Sequence, residues 1–220
     1  MKYIKSNKVW ENFNVLKAAK ERLDAKESSF TDPRDGKTYK TIVLGGVEWF
    51  KENLNYDLDK DLENITLDTF NIEKQSVPAE GGECGFFYTF QGAQDACPDG
   101  WEIPLRSDFT KLFTGITLKH PHQWSIYERR IIHQTLVGSD SLLDIKFCGF
   151  YGKYEWSVLK KGRSTMEVGE SGSFITSTPG SLGNGGAVFR FYEDDFDQEP
   201  TYAESVGYDF YSVRPIRKNI

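Results

Sequence analysis

The sequence is poor in the residues from which most catalytic and metal centres are built, with three cysteines and three histidines in 220 residues. Cys84, Cys97 and Cys148 are odd in number, so a monomer leaves at least one unpaired, and no two have Cys-x-x-Cys spacing. A disulfide-framework miniprotein, a structural zinc site and a thioredoxin-like motif are therefore excluded. Long apolar runs are missing too, and with them any segment able to insert in a membrane as a spanning helix. Basic charge is short: 27 Lys plus Arg against 33 Asp plus Glu leave a net charge of −6 without a basic stripe, which argues against nucleic acid as a partner. Nucleophile-elbow, zincin, phosphate-loop and dinucleotide fingerprints are also absent, so the residues indicate no enzyme, no catalytic set and no cofactor.

What is abundant is aromatic: sixteen Phe, eleven Tyr and five Trp, beside twenty Gly. Large rings bury much area per residue, which suits a loop-rich fold anchored by aromatics. A chain of this length can bury one sizeable core. The start, Met1 to Lys8, has neither the apolar stretch nor the cleavage site of a signal peptide. The expectation is a chain made in the cytoplasm without a leader and released by assembly into a particle, or else a surface protein whose leader is missing from the sequence.

Residues 7–27 read as an amphipathic helix, with Val9, Phe13, Leu16 and Leu23 on one side and Trp10 as anchor. Residues 1–28 are set apart as an attachment segment, with 29–220 as the main domain. The helix either docks on that domain or, through Trp10, Phe13, Leu16 and Leu23, binds other subunits of a larger assembly. Tyr39 to Leu44 alternates, Gly45-Gly46 turns, and Val47 to Phe50 returns: a hairpin. Tyr88 to Ala96 and Asp108 to Phe113 read as short helices, the second capped by Ser107, and between them Pro98-Asp99-Gly100 is a turn before a short strand at Trp101 to Ile103. Trp124 to Val137 is a further helix, and from Phe147 onward the chain is β-rich.

Several polar clusters invite a metal. Asp57, Asp59, Asp61 and Asp68 resemble a calcium loop, but Leu62 replaces the required glycine and Asp68 the final Glu. Glu193-Asp194-Asp195-Phe196-Asp197 offers oxygen ligands for calcium, against the reading of a solvated acidic loop. His120-Pro121-His122 has no third ligand nearby in sequence and reads as a loop.

Phe30 to Thr41, Glu48 to Tyr56, Ala96-Cys97-Pro98-Asp99-Gly100-Trp101-Glu102-Ile103-Pro104, Ser173 to Thr178 and Ser212-Val213-Arg214 together resemble the Fibrobacter succinogenes major paralogous domain family, over about residues 30–217. The resemblance implies an α+β, C-type-lectin-like fold: a small twisted antiparallel sheet, two flanking helices and long loops. It makes Trp49, Cys97, Trp101, Pro104 and Arg214 structural. The family usually has a Cys where this chain has Pro215, so Cys97 lacks its expected partner; Cys84 or Cys148 could replace it, and otherwise the loss suggests a reducing compartment.

By the same resemblance the expected role is a non-enzymatic recognition or structural module, a phage tail or contractile-injection-particle appendage that binds a bacterial surface glycan or protein. The alternative is a surface adhesin or lipoprotein component; a formylglycine-generating type of enzyme stands third. The expected contact surface is residues 180–211, with Tyr192, Asp194, Asp195, Phe196, Asp197, Tyr202 and Tyr208 as candidate ligand-binding residues.

Overall fold

The two glycines at 45 and 46 both adopt positive φ (60° and 80°), the conformation that a two-residue hairpin turn demands. They join β2 (Thr38–Leu44) to β3 (Val47–Phe50), in register from Thr41↔Phe50 to Leu44↔Val47. This computed structural model describes residues 14–60, 75–79, 83–157, 160–179, 186–192, 201–204 and 209–218. β1 (Lys26–Thr31) pairs antiparallel with β2, and β11 (Ile216–Arg217) pairs with β3 through Ile216↔Trp49, giving a four-stranded sheet of order β1-β2-β3-β11. The turn between β1 and β2 is locked by Asp32, whose buried carboxylate accepts from the Arg34 backbone N–H (3.0 Å) and guanidinium (2.6 Å).

Helix α1 (14–22) runs directly into this sheet and is not a separate segment. Ala19 and Leu23 lie in the core, Leu16 packs against it, and Arg22 donates to the carbonyls of Gly115 and Ile116 on a neighbouring helix. Gly115 gives the Leu23 side chain room to seat: a Cβ there would meet Leu23 Cδ2 at 2.5 Å and push the leucine aside. The expected boundary at residue 28 thus falls inside β1.

Helix α2 (Phe90–Ala96) is capped by Thr89, whose hydroxyl accepts from Gly92 N–H. Tyr88, expected at its start, belongs instead to β5 (Phe86–Tyr88), which pairs with β4 (Ser76–Pro78). Helix α3 (Arg106–Thr117) is longer than expected at both ends. Its cap is not Ser107: the Asp108 carboxylate reaches back to Leu105 N–H (2.8 Å), and Thr178 Oγ1 accepts from Arg106 N–H (2.8 Å). After a single 3₁₀ turn (Pro121–Gln123), α4 (Ile126–Leu136) starts at Ser125, where Glu128 closes a reciprocal cap.

The C-terminal half supplies β6 (Phe150–Ser157) paired with β7 (Lys160–Met166), and a three-stranded sheet of order β10-β9-β8 from β8 (Ser171–Pro179), β9 (Gly186–Tyr192) and β10 (Thr201–Glu204). The chain is therefore mixed α+β, with small antiparallel sheets flanked by helices. Among the described residues no helix is long and apolar enough to cross a membrane.

The core between β9, α3 and β3 is aromatic. Phe109 stacks on Phe189 (4.8 Å, 12°), Phe113 meets Trp124 edge-on (5.6 Å), and Trp49 lies 5.2 Å from Phe109. Trp101 anchors a second cluster, edge-on to Phe50 at 4.5 Å. The expected strand at 101–103 is reduced to one bridge, Glu102↔Ile216, because Pro98-Asp99-Gly100 and Pro104 interrupt the ladder on either side.

Candidate functional site

The segment 210–217 touches every sheet. Phe210 bridges Tyr151 of β6, Tyr211 bridges Tyr88 of β5, Ser212 bridges Phe174 of β8, and Ile216 bridges Glu102 and pairs with β3. The carbonyls of Val213 and Pro215 accept from Leu54 and Phe50 N–H. Phe210 and Tyr211, drawn into the contact surface by their aromatic character, are core rings, 0% and 1% exposed.

Arg214 sits at the centre of this junction and is 1% exposed. Nη1 donates to the carbonyls of Lys51 and Leu143, and Nη2 to Asn53 Oδ1 (2.7 Å); the guanidinium carbon lies 5.3 Å from the Phe174 ring centre. Burial pushes the guanidinium down to about 9, opposed by the charges of Asp144 and Glu52, so it stays protonated at neutral pH. Carbonyl dipoles thus hold a charge that water would otherwise solvate. Asn53 continues the network, its amide reaching Cys84 O (3.2 Å), Ser212 Oγ (3.1 Å) and Cys148 Sγ (3.8 Å).

Cys84 and Cys148 form a disulfide, and Cys97 is free. The pairing that would have rescued Cys97 is not made. Burial pushes the Cys97 thiol up to about 12, with Arg34 opposing the shift, so it carries no thiolate for chemistry. Cys97 lines a cleft of about 220 Å³ with Gln94, Trp101, Glu102, Ile103 and Ser177. Glu102 there is ion-paired with Lys218 (2.9 Å), and Ser177 Oγ donates to Ile103 O (3.0 Å). The expectation of a reducing compartment rests on an unpaired Cys97, and Cys97 is unpaired; beside it stands the Cys84–Cys148 bond, of a kind that persists in oxidising surroundings.

The remaining expected residues divide. Leu23 is buried in the core of its own domain, which removes it as a subunit contact, and Leu16 packs half-buried against the same core. Trp10 and Phe13 lie outside the described residues, as do Asp194, Asp195, Phe196, Asp197 and Tyr208. Tyr192 ends β9 opposite Ser171 and is half-buried; Tyr202 pairs with Phe189 in β10.

The acidic stretch at 57–61 is occupied structurally where it is described: Asp59 accepts from Gln75 N–H (3.1 Å), Ser76 N–H (2.7 Å) and Ser76 Oγ (2.9 Å). Those bonds compete with calcium for the same oxygens. Among the described residues no group of three or more His, Cys, Asp or Glu side chains could hold a metal. The Arg214–Asn53 network and the Cys84–Cys148 bond are what sequence reading missed. Only Arg214 carried a signal, through its place in the Ser-Val-Arg motif.

In comparisons with protein-family models, with curated proteins and with solved structures, the chain has no match.

Proposed function

We propose that this chain is a non-enzymatic recognition module of C-type-lectin-like type that binds a bacterial surface glycan or protein. One observation carries the reading. Segments 180–185 and 193–200, which hold the glycines, acids and ring 196, connect the strands of the β10-β9-β8 sheet, and that sheet is fixed from behind by the α3 rings and the 210–217 junction. A sheet fixed on one face is a scaffold whose connecting segments can carry binding residues. Against an enzyme stands the state of the three cysteines, two joined in a disulfide and one half-buried and unpaired, which leaves no thiol pair for formylglycine-type chemistry. The disulfide also supports display at a cell surface over assembly of a phage-like particle inside the cell.

The test is adhesion of the purified protein to bacterial cells, with Tyr202→Ala and Tyr208→Ala combined. Binding weakened by about tenfold or more, at unchanged melting temperature, is the expected result for two aromatic contacts. Full retention of binding would remove 180–211 as the contact surface. Pretreating the cells with periodate or with protease separates a glycan target from a protein one.

A further inference from the structure

We propose that His120 and His122 form a two-imidazole chelate for a divalent transition-metal ion such as Ni²⁺ or Zn²⁺, at the tip of the α3–α4 connection.

The two Nδ1 atoms face each other at 2.6 Å, with ring centres 4.5 Å apart, and both residues are exposed. At that separation one ring donates its Nδ1–H and the other accepts, so two lone-pair positions converge on one point that holds a hydrogen. A metal can take the place of that hydrogen. With metal–nitrogen bonds of about 2.0–2.1 Å and angles of roughly 90–110°, the nitrogens stand about 2.9–3.4 Å apart, so the rings need open by less than about 1 Å. If the donor ring is an imidazolium, one proton leaves to solvent; if it is neutral, the hydrogen relocates from Nδ1 to Nε2 through water.

The backbone preorganises the pair. Pro121 fixes the first position of the 3₁₀ turn, Gln123 N–H donates to His120 O (2.8 Å), and Trp124 N–H donates to Pro121 O (3.1 Å). The buried Trp124 indole, through Nε1 to Lys119 O (3.1 Å), ties the turn to the aromatic core. Neighbouring charge does not oppose a cation, because Lys119 is ion-paired with Glu128. Nor does Glu128 supply a third ligand: its oxygens are held by Lys119 and by Ser125. Two protein nitrogens leave the other coordination positions to water, which sets a moderate affinity and suits imidazole-preferring ions over Mg²⁺ or Ca²⁺.

The experiment is calorimetric titration of Ni²⁺ into the untagged full chain, compared with His120→Asn, His122→Asn and the double variant. One ion per chain is expected, weakened by about tenfold or more in either single variant, with melting temperature unchanged. Wild-type affinity in either single variant would overturn the chelate, since one imidazole would then suffice. Undiminished binding in the double variant would place the ion elsewhere, and one ion per two chains would replace the intramolecular chelate with a bridge between copies.

Discussion

Strand β8 is held from two sides by different means. On one side Phe174 faces Phe191 (6.4 Å) in the ring layer that continues through Phe189 to Phe109 and Phe113. On the other, the same Phe174 ring lies under the Arg214 guanidinium, in a junction made of hydrogen bonds to carbonyls and to Asn53. Ring packing is only weakly directional and tolerates exchange of similar volumes. A buried cation among carbonyls is directional, and losing one member strands the others. The polar junction therefore sets where the sheets meet, while the ring layer supplies the bulk of the burial.

That contrast predicts unequal sensitivities. Arg214→Ala leaves the carbonyls of Lys51 and Leu143 and the Asn53 amide oxygen buried without their donor, each costing about 1–3 kcal/mol, or on the order of 5 kcal/mol together. In a urea titration this variant should be the least stable of the set, or fail to fold; a midpoint near wild type would dismantle the comparison. Breaking the disulfide, by Cys84→Ser with Cys148→Ser, opens a loop of sequence separation 64 and should cost about 4 kcal/mol on the chain-entropy account. Calorimetry with and without reductant measures it, and thiol labelling of the native protein should count no more than one free cysteine.

In the ring layer, Phe113→Leu keeps most of the volume and should cost only about 1–1.5 kcal/mol. A loss as large as that of Arg214→Ala would mean that the rings, too, are positionally exacting. The smallest effect belongs to the cap of α4. Hydrogen bonds from Lys119 first, and then Ser125, hold the Glu128 carboxyl down at about 2, against 4.5 unperturbed. A depressed carboxyl contributes stability that is fully present above the unfolded value and is lost as pH falls through the folded one. The melting-temperature difference between wild type and Glu128→Gln should therefore be constant above pH 5 and vanish towards pH 2. A difference that persists at pH 2 would show that the cap does not act through charge.

Local chemistry made part of this fold legible. The β2–β3 hairpin follows from alternation and Gly45-Gly46, and α3 and α4 from apolar spacing, because each rests on residues adjacent in sequence. The cap of α3 was assigned to the wrong residue since Thr178, 72 residues on, completes the helix start. β1, β4, β5 and β10 escaped notice: they are short or polar, and their pairing depends on partners rather than on their own periodicity. The Cys84–Cys148 bond could not be deduced, because three cysteines allow three pairings and only the fold brings these two together. His120 and His122 were visible as a pair, but a 3₁₀ turn, not their spacing alone, aims both Nδ1 atoms at one point.

The position of the junction in the chain also orders its biosynthesis. Residues 210–217 leave the ribosome after every strand they join, so β3, β5, β6 and β8 wait without their common partner until the last of them is made. Helices and hairpins can form during translation, but the sheets dock only afterwards, through contacts of long sequence separation that slow folding. A chain cut short before Phe210 is missing not an edge but the piece that every sheet shares.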